Sequence, residues 1–107
     1  MNYYAIKCPD NDGLNKVSFN ITAGSIVLDC TLYFDTDTIS NTYNHWIMNI
    51  INLSSEEVDE RTIVLYPNTE HFTGDSSYEF TVRSEDDNIM FDNLAGVTFY
   101  VGVNDEQ

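Results

Sequence analysis

The chain has 107 residues, with eighteen Asp and Glu against four Lys and Arg, and a formal charge of −14. Lys7, Lys16, Arg61 and Arg83 are too few to build a basic patch, so the field of the chain opposes direct contact with nucleic acid or with an anionic membrane. Seven Tyr, six Phe and one Trp set it apart from disordered acidic chains and predict one folded domain over residues 1–107.

Residues 1–7 lack the charged start and apolar run of a secretion signal, which predicts synthesis in the cytoplasm. No segment approaches the roughly 20 apolar residues of a membrane-spanning helix. Residues 2–7 read as an edge strand, stopped by Pro9 and the Asp10-Asn-Asp-Gly13 turn. Val17, Phe19 and Ile21 alternate with Ser18, Asn20 and Thr22. After a break at Ala23-Gly24, Ile26, Leu28, Cys30, Leu32 and Phe34 alternate with Val27, Asp29, Thr31 and Tyr33. This period of two predicts a hairpin of half-buried strands. Cys30 falls on the apolar face, so a buried reduced thiol is expected rather than a bond to Cys8.

Residues 43–53 fit two periods. Trp46, Ile47, Ile50 and Ile51 have helical spacing, whereas Trp46, Met48 and Ile50 alternate as in a strand. Three Asn and three Ile weaken a helix, so a strand is preferred. A helical turn is expected over 54–60, with Ser54 as cap and Glu57 completing a capping box. Residues 63–66 read as a short strand stopped by Pro67, and 67–74 as a loop carrying His71. Two more strands are expected over 78–83 and 97–103. The fold class is mainly β: a small antiparallel sandwich or barrel of six to eight strands with at most one short helix.

The acids gather between these elements. Asp10 and Asp12 lie in the first turn, and Asp35 and Asp37 follow the long strand. Glu56, Glu57, Asp59 and Glu60 form a cluster; Glu85, Asp86 and Asp87 precede the last strand; Asp105 and Glu106 end the chain. Carboxylates in connections stay solvated and discourage strand pairing between molecules. A mimic of nucleic acid would need carboxylates in register, about 6.6 Å apart along a strand. Beside a predicted strand, only Asp35 with Asp37, and Asp10 with Asp12, have that spacing.

No constellation points to catalysis, a cofactor or a metal. His45 and His71 are 26 residues apart without partners at zinc spacing. Asp35-Thr-Asp-Thr38 begins like a calcium loop, but the sixth position is Ser40 and the twelfth is Trp46. Phosphate loops, dinucleotide fingerprints and nucleophile elbows do not occur. The chain reads as a non-enzyme.

The order of features resembles the small baseplate plug proteins of contractile-tailed phages. It runs from Ile6-Lys-Cys-Pro-Asp-Asn11 through the two strands around Gly24 and the strand His45-Trp-Ile-Met-Asn-Ile50. It closes on Phe91-Asp-Asn-Leu-Ala-Gly-Val97, which leads into the last apolar run. The acidic stretch 54–60 departs from the Gly-rich turn usual there. The resemblance implies a structural virion protein near the end of the tail tube, held by neighbouring tail or baseplate proteins, with homo-oligomerisation as a further option. It carries no catalytic residues over. As anchors for a protein partner, an exposed aromatic among Tyr33, Trp46, Tyr66 and Tyr100 is expected, together with the acids Glu56, Glu57, Asp59 and Glu60. The alternative reading is an acidic inhibitor of a basic host nuclease, of the anti-CRISPR or anti-restriction kind.

Overall fold

A computed structural model describes residues 1–72 and 77–104. Eight strands follow in order: β1 (Asn2–Lys7), β2 (Lys16–Ala23), β3 (Ile26–Phe34), β4 (Trp46–Asn52), β5 (Glu60–Val64), β6 (Thr69–Phe72), β7 (Glu79–Ser84) and β8 (Val97–Val103). They form two four-stranded antiparallel sheets, β1-β8-β7-β6 and β2-β3-β4-β5, packed as a sandwich.

Alternation decides which side chains fill the space between the sheets. Leu28, Cys30 and Leu32 of β3, Ile21 and Ala23 of β2, and Trp46, Met48 and Ile50 of β4 are buried. Phe80 and Val82 of β7 and Val97, Phe99 and Val101 of β8 face them from the other sheet. Phe19 stacks on Phe99 across the gap, with centroids 6.1 Å apart, and Phe99 meets Phe80 at 5.3 Å. The Phe19–Phe99 contact joins the sheets where β2 and β8 approach, and Phe80 supports Phe99 from the neighbouring strand of its own sheet.

Two glycines do specific work. Gly24, at φ 57°, makes the two-residue turn that lets Ala23 pair with Ile26. Gly102 of β8 lies in register between Tyr3 of β1 and Glu79 of β7. A Cβ on Gly102 would stand 2.7 Å from Tyr3 Cε1 and 2.9 Å from Met1 Sδ. Its absence lets the Tyr3 ring lie across β8, so that the hydroxyl donates to Glu79 Oε1 at 2.6 Å.

The segment 43–53 contains a strand, as preferred, and β1 is an edge strand. Two expectations need correction. Residues 54–59 form a turn, bends and extended chain, not a helical turn, and Glu60 already belongs to β5. Ser54 Oγ accepts the Val27 N–H at 3.0 Å, and Leu53 N–H donates to Val27 O at 2.9 Å. Both groups are thus used against β3, which leaves no hydroxyl for a helix cap. Among the described residues the one short helix is a 3₁₀ turn, Leu94–Gly96, just before β8. His71 lies on β6, not in a loop, while residues 73–74 of that predicted loop lie outside the described residues.

Cys8 and Cys30 are free and buried. Burial first, and the Asp10 carboxylate second, push the Cys8 thiol up to about 12. Burial, then Asp29 and Cys8, do the same for Cys30, also to about 12. Both should therefore stay protonated and unreactive towards a thiol reagent at mildly alkaline pH, and titrate fully only after unfolding. Trp46→Ala should lower the unfolding free energy in urea by about 3–5 kcal/mol. Ile39→Ala, at a side chain 89% exposed, should change it by less than about 0.5 kcal/mol.

Candidate functional site

Strand direction brings four connections to one end of the sandwich. Lys7 at the end of β1 lies in register with Thr98 and, through it, Arg83. Lys16 at the start of β2 lies in register with Tyr33, Ile47 and Val64. The β1–β2, β3–β4, β5–β6 and β7–β8 connections therefore emerge together. They carry Asp10, Asp12, Asp35, Asp37, Glu85, Asp86, Asp87 and Asp92. The same connections expose Leu14, Ile39, Tyr43, Tyr66 and Met90. Exposed apolar side chains interspersed with carboxylates at one end of the sandwich make that end the candidate contact surface.

Internal hydrogen bonds shape these loops. Asp35 accepts from Asp37 N–H at 2.9 Å, from Ser40 Oγ at 2.6 Å and from the Thr42 hydroxyl. Asp35 N–H donates to His45 O at 2.9 Å, and Asn44 N–H to Asp35 O at 2.8 Å, which closes the neck of the loop. The Ser40, Thr42 and Asp37 donors hold the Asp35 carboxyl below its ordinary range. In the β7–β8 connection, Asn93 Oδ1 accepts from Met90 N–H at 2.6 Å, and its amide donates to Asn88 O at 2.9 Å. In the β1–β2 connection, Asn11 and Leu14 exchange two bonds of 2.8 Å. Ile39, Met90 and Leu14 are thus presented on braced backbone.

Between the loops lies a cleft of about 330 Å³, walled by Asn44, His45, Tyr66, Pro67, Asn88 and Met90 among others. His45 meets the Tyr66 ring edge-on at 5.3 Å, and its Nδ1 lies 2.9 Å from Tyr43 O. A carbonyl only accepts, so Nδ1 carries the proton in this contact. The floor is tied to the core, because Trp46 Nε1 donates to Met90 O at 3.2 Å.

The predicted anchors separate. Tyr66 lies at the cleft, 46% exposed. Tyr33 and Tyr100 lie on the outer faces of opposite sheets. Trp46 is fully buried and cannot be a surface anchor. It packs against Phe34 at 5.3 Å and Phe91 at 5.7 Å, because its position in β4 points between the sheets.

The acids Glu56, Glu57, Asp59 and Glu60 lie at the opposite end and do not act as one cluster. Glu56 and Glu57 are exposed, and Glu60 Oε2 accepts from Asn49 Nδ2 at 2.9 Å. Asp59, with a side chain only 16% exposed, is turned inward. It receives Arg61 Nε and Ser77 Oγ, each at 3.0 Å, and Asn52 Nδ2 at 3.3 Å. The Arg61 guanidinium sits 5.5 Å from the Tyr78 ring centre. Desolvation acts to raise the Asp59 carboxyl, but the bonds from Arg61, Ser77 and Asn52 together outweigh it and leave it below its ordinary range. Asp59 is thus a structural hub. The tail acids Asp105 and Glu106 lie outside the described residues.

Leu14, Ile39, Tyr43 and Met90 escaped the sequence reading, although for the first three a signal was available: single apolar residues within polar runs. Among the described residues, no three His, Cys, Asp or Glu side chains converge as metal ligands. Comparisons with protein-family models, curated proteins and solved structures found no match to this chain.

Asp35 and Asp59 are both held below their unfolded-state values. Their contribution to stability is complete above the ordinary aspartate range and is lost as pH falls through the folded-state values. Asp59→Asn should cost about 1–3 kcal/mol near neutral pH, from bonds to a charged group. It should also make urea stability less steep in the acid limb, as read by denaturation at a series of pH values.

Proposed function

We propose that this chain is a non-enzymatic structural component of a contractile phage tail or baseplate, a plug-like protein docked through its loop end onto a positively charged neighbour. The observation that carries the reading is the loop end itself: Leu14, Ile39, Tyr43, Tyr66 and Met90 exposed at one end of the sandwich together with the carboxylates of three braced connections. The apolar residues supply area that gains by leaving water, and the acids select a basic partner and speed encounter. Preformed loops reduce the entropy lost on docking. The order of features that resembles baseplate plug proteins adds the virion setting. Acids spread around loops fit this role better than a stripe of phosphate-like charge, which would run along a strand.

In purified tail particles, mass spectrometry should find the chain at a fixed ratio to tail proteins. Tyr66→Ala combined with Met90→Ala should weaken its incorporation at least about tenfold, as expected for central anchors, with the thermal midpoint nearly unchanged. Absence from particles would refute the proposal. If the chain instead binds a nuclease and DNA displaces it at low salt, the inhibitor reading takes its place.

A further inference from the structure

The two sheets leave four edges, and they are not treated alike. β6 has four residues and an irregular register between Glu70 and Phe72. β5 has five residues, begins at Glu60 and follows the acidic run Glu56, Glu57 and Asp59. β1 has six, with Tyr3 drawn across β8 to Glu79. Short length, irregularity and charge are the usual protections of an edge. β2 has eight residues, pairs with β3 without a register break, contains no proline and carries one charge, Lys16.

The phase of the β2–β3 ladder fixes what that edge offers. Phe34 N–H donates to Asn15 O at 2.9 Å, so Asn15, Val17, Phe19, Ile21 and Ala23 exchange bonds with β3. The N–H and C=O groups of Lys16, Ser18, Asn20 and Thr22 point the other way, along the open edge, and these four residues are exposed. Val17 and Phe19, on the inner face at the same edge, are only half-buried.

We infer that β2 pairs antiparallel with β2 of a second copy of this chain, joining two four-stranded sheets into one of eight strands. A second copy fits for reasons of symmetry and charge. Antiparallel pairing centred on Ser18 sets Ser18 against Ser18 and Lys16 against Asn20 of the second copy. Asn20 is in register with Asp29 on β3, so each Lys16 falls in the same row as Asp29 of the second copy. Two strand spacings, about 10 Å between Cα atoms, separate them, which an extended lysine spans. The chain therefore meets itself along an edge that carries no acid, with one complementary charge pair at each end of the contact. Pairing would also cover the half-buried Val17 and Phe19.

Sedimentation equilibrium of the full chain at up to about 100 µM reads this association directly, because mass action draws a dimer apart on dilution. The expected result is twice the chain mass, with slowed amide exchange at Ser18 and Asn20. Ser18→Pro removes an edge donor while sparing the β3 ladder, and Ser18→Lys places two ammonium groups at the centre of the contact. Both variants should be monomeric, and Ser18→Lys should keep the melting curve of the wild type diluted until it is monomeric, which separates lost pairing from lost folding. Three results would overturn the inference: a wild-type monomer over this range, a dimer that both variants leave intact, or protection of β2 amides only when a different protein is added.

Discussion

The packing of Trp46 against Phe34 and Phe91 is the contact on which the loop end depends. Phe34 closes β3, Trp46 opens β4, and Phe91 lies in the connection between β7 and β8, so the three rings join both sheets at the end where four loops emerge. The indole N–H adds a polar tie to the Met90 carbonyl inside the same contact. Burying an indole strongly favours the packed state, and its one donor needs a partner once water is excluded. Met90 fills that requirement, and the consequence reaches the surface: the residue whose carbonyl is held below presents its side chain to solvent above. Core packing and surface presentation are here the same constraint.

Charge is arranged around that constraint. Strand interiors of this chain hold few acids because a strand with a buried face alternates apolar residues with small polar ones. Connections have no such restriction. Two carboxylates are then put to work where they stand, Asp35 within the β3–β4 loop and Asp59 just before β5. Each is ringed by donors, so ionisation strengthens the local structure instead of straining it. The remaining acids, such as Glu56, Glu57, Asp86 and Asp87, face water and set the field a partner meets. A formal charge of −14 therefore divides into a structural share and a share directed outward.

How much of this was legible in the sequence follows from how local each signal is. The β2–β3 hairpin was legible because alternation and Gly24 agree. β4 was ambiguous for a reason the sheet explains: Ile47 lies on the outer face yet is 5% exposed, in register between Tyr33 and Val64. Apolar residues on both faces erase the period of two. β6 was missed because Thr-Glu-His-Phe carries no alternation and is held by pairing with β7, a contact distant from the local sequence. Ser54 was misread because an N-cap and a cross-strand acceptor require the same hydroxyl, and only the position of Val27 decides between them. Of the proposed anchors, Tyr66 reaches the loop end, whereas Trp46 is claimed by the core. Exposure of a single aromatic is set by the phase of its strand, which the ambiguous period of 43–53 could not fix.

The loop end and the β2 edge also differ in kind, and that difference bears on assembly. The loop end offers side chains, apolar area and charge, so docking there, as proposed, would discriminate among partners. The edge offers backbone groups, which any strand can match, so its selectivity must come from charge and symmetry instead. The loops lie at one end of the strands and the edge runs along their side, so both surfaces can be used at once. A pair of chains joined along β2 about a two-fold axis would point its loop ends in opposite directions, because the paired strands are antiparallel. Such a dimer engages two neighbours facing one another, whereas several copies around one ring would need their loop ends on the same side. The geometry of the edge thus restricts the partner arrangement: if both contacts coexist, the loop ends are bound by partners on opposite sides, and if all loop ends converge on one ring, the edge pairing must give way on incorporation.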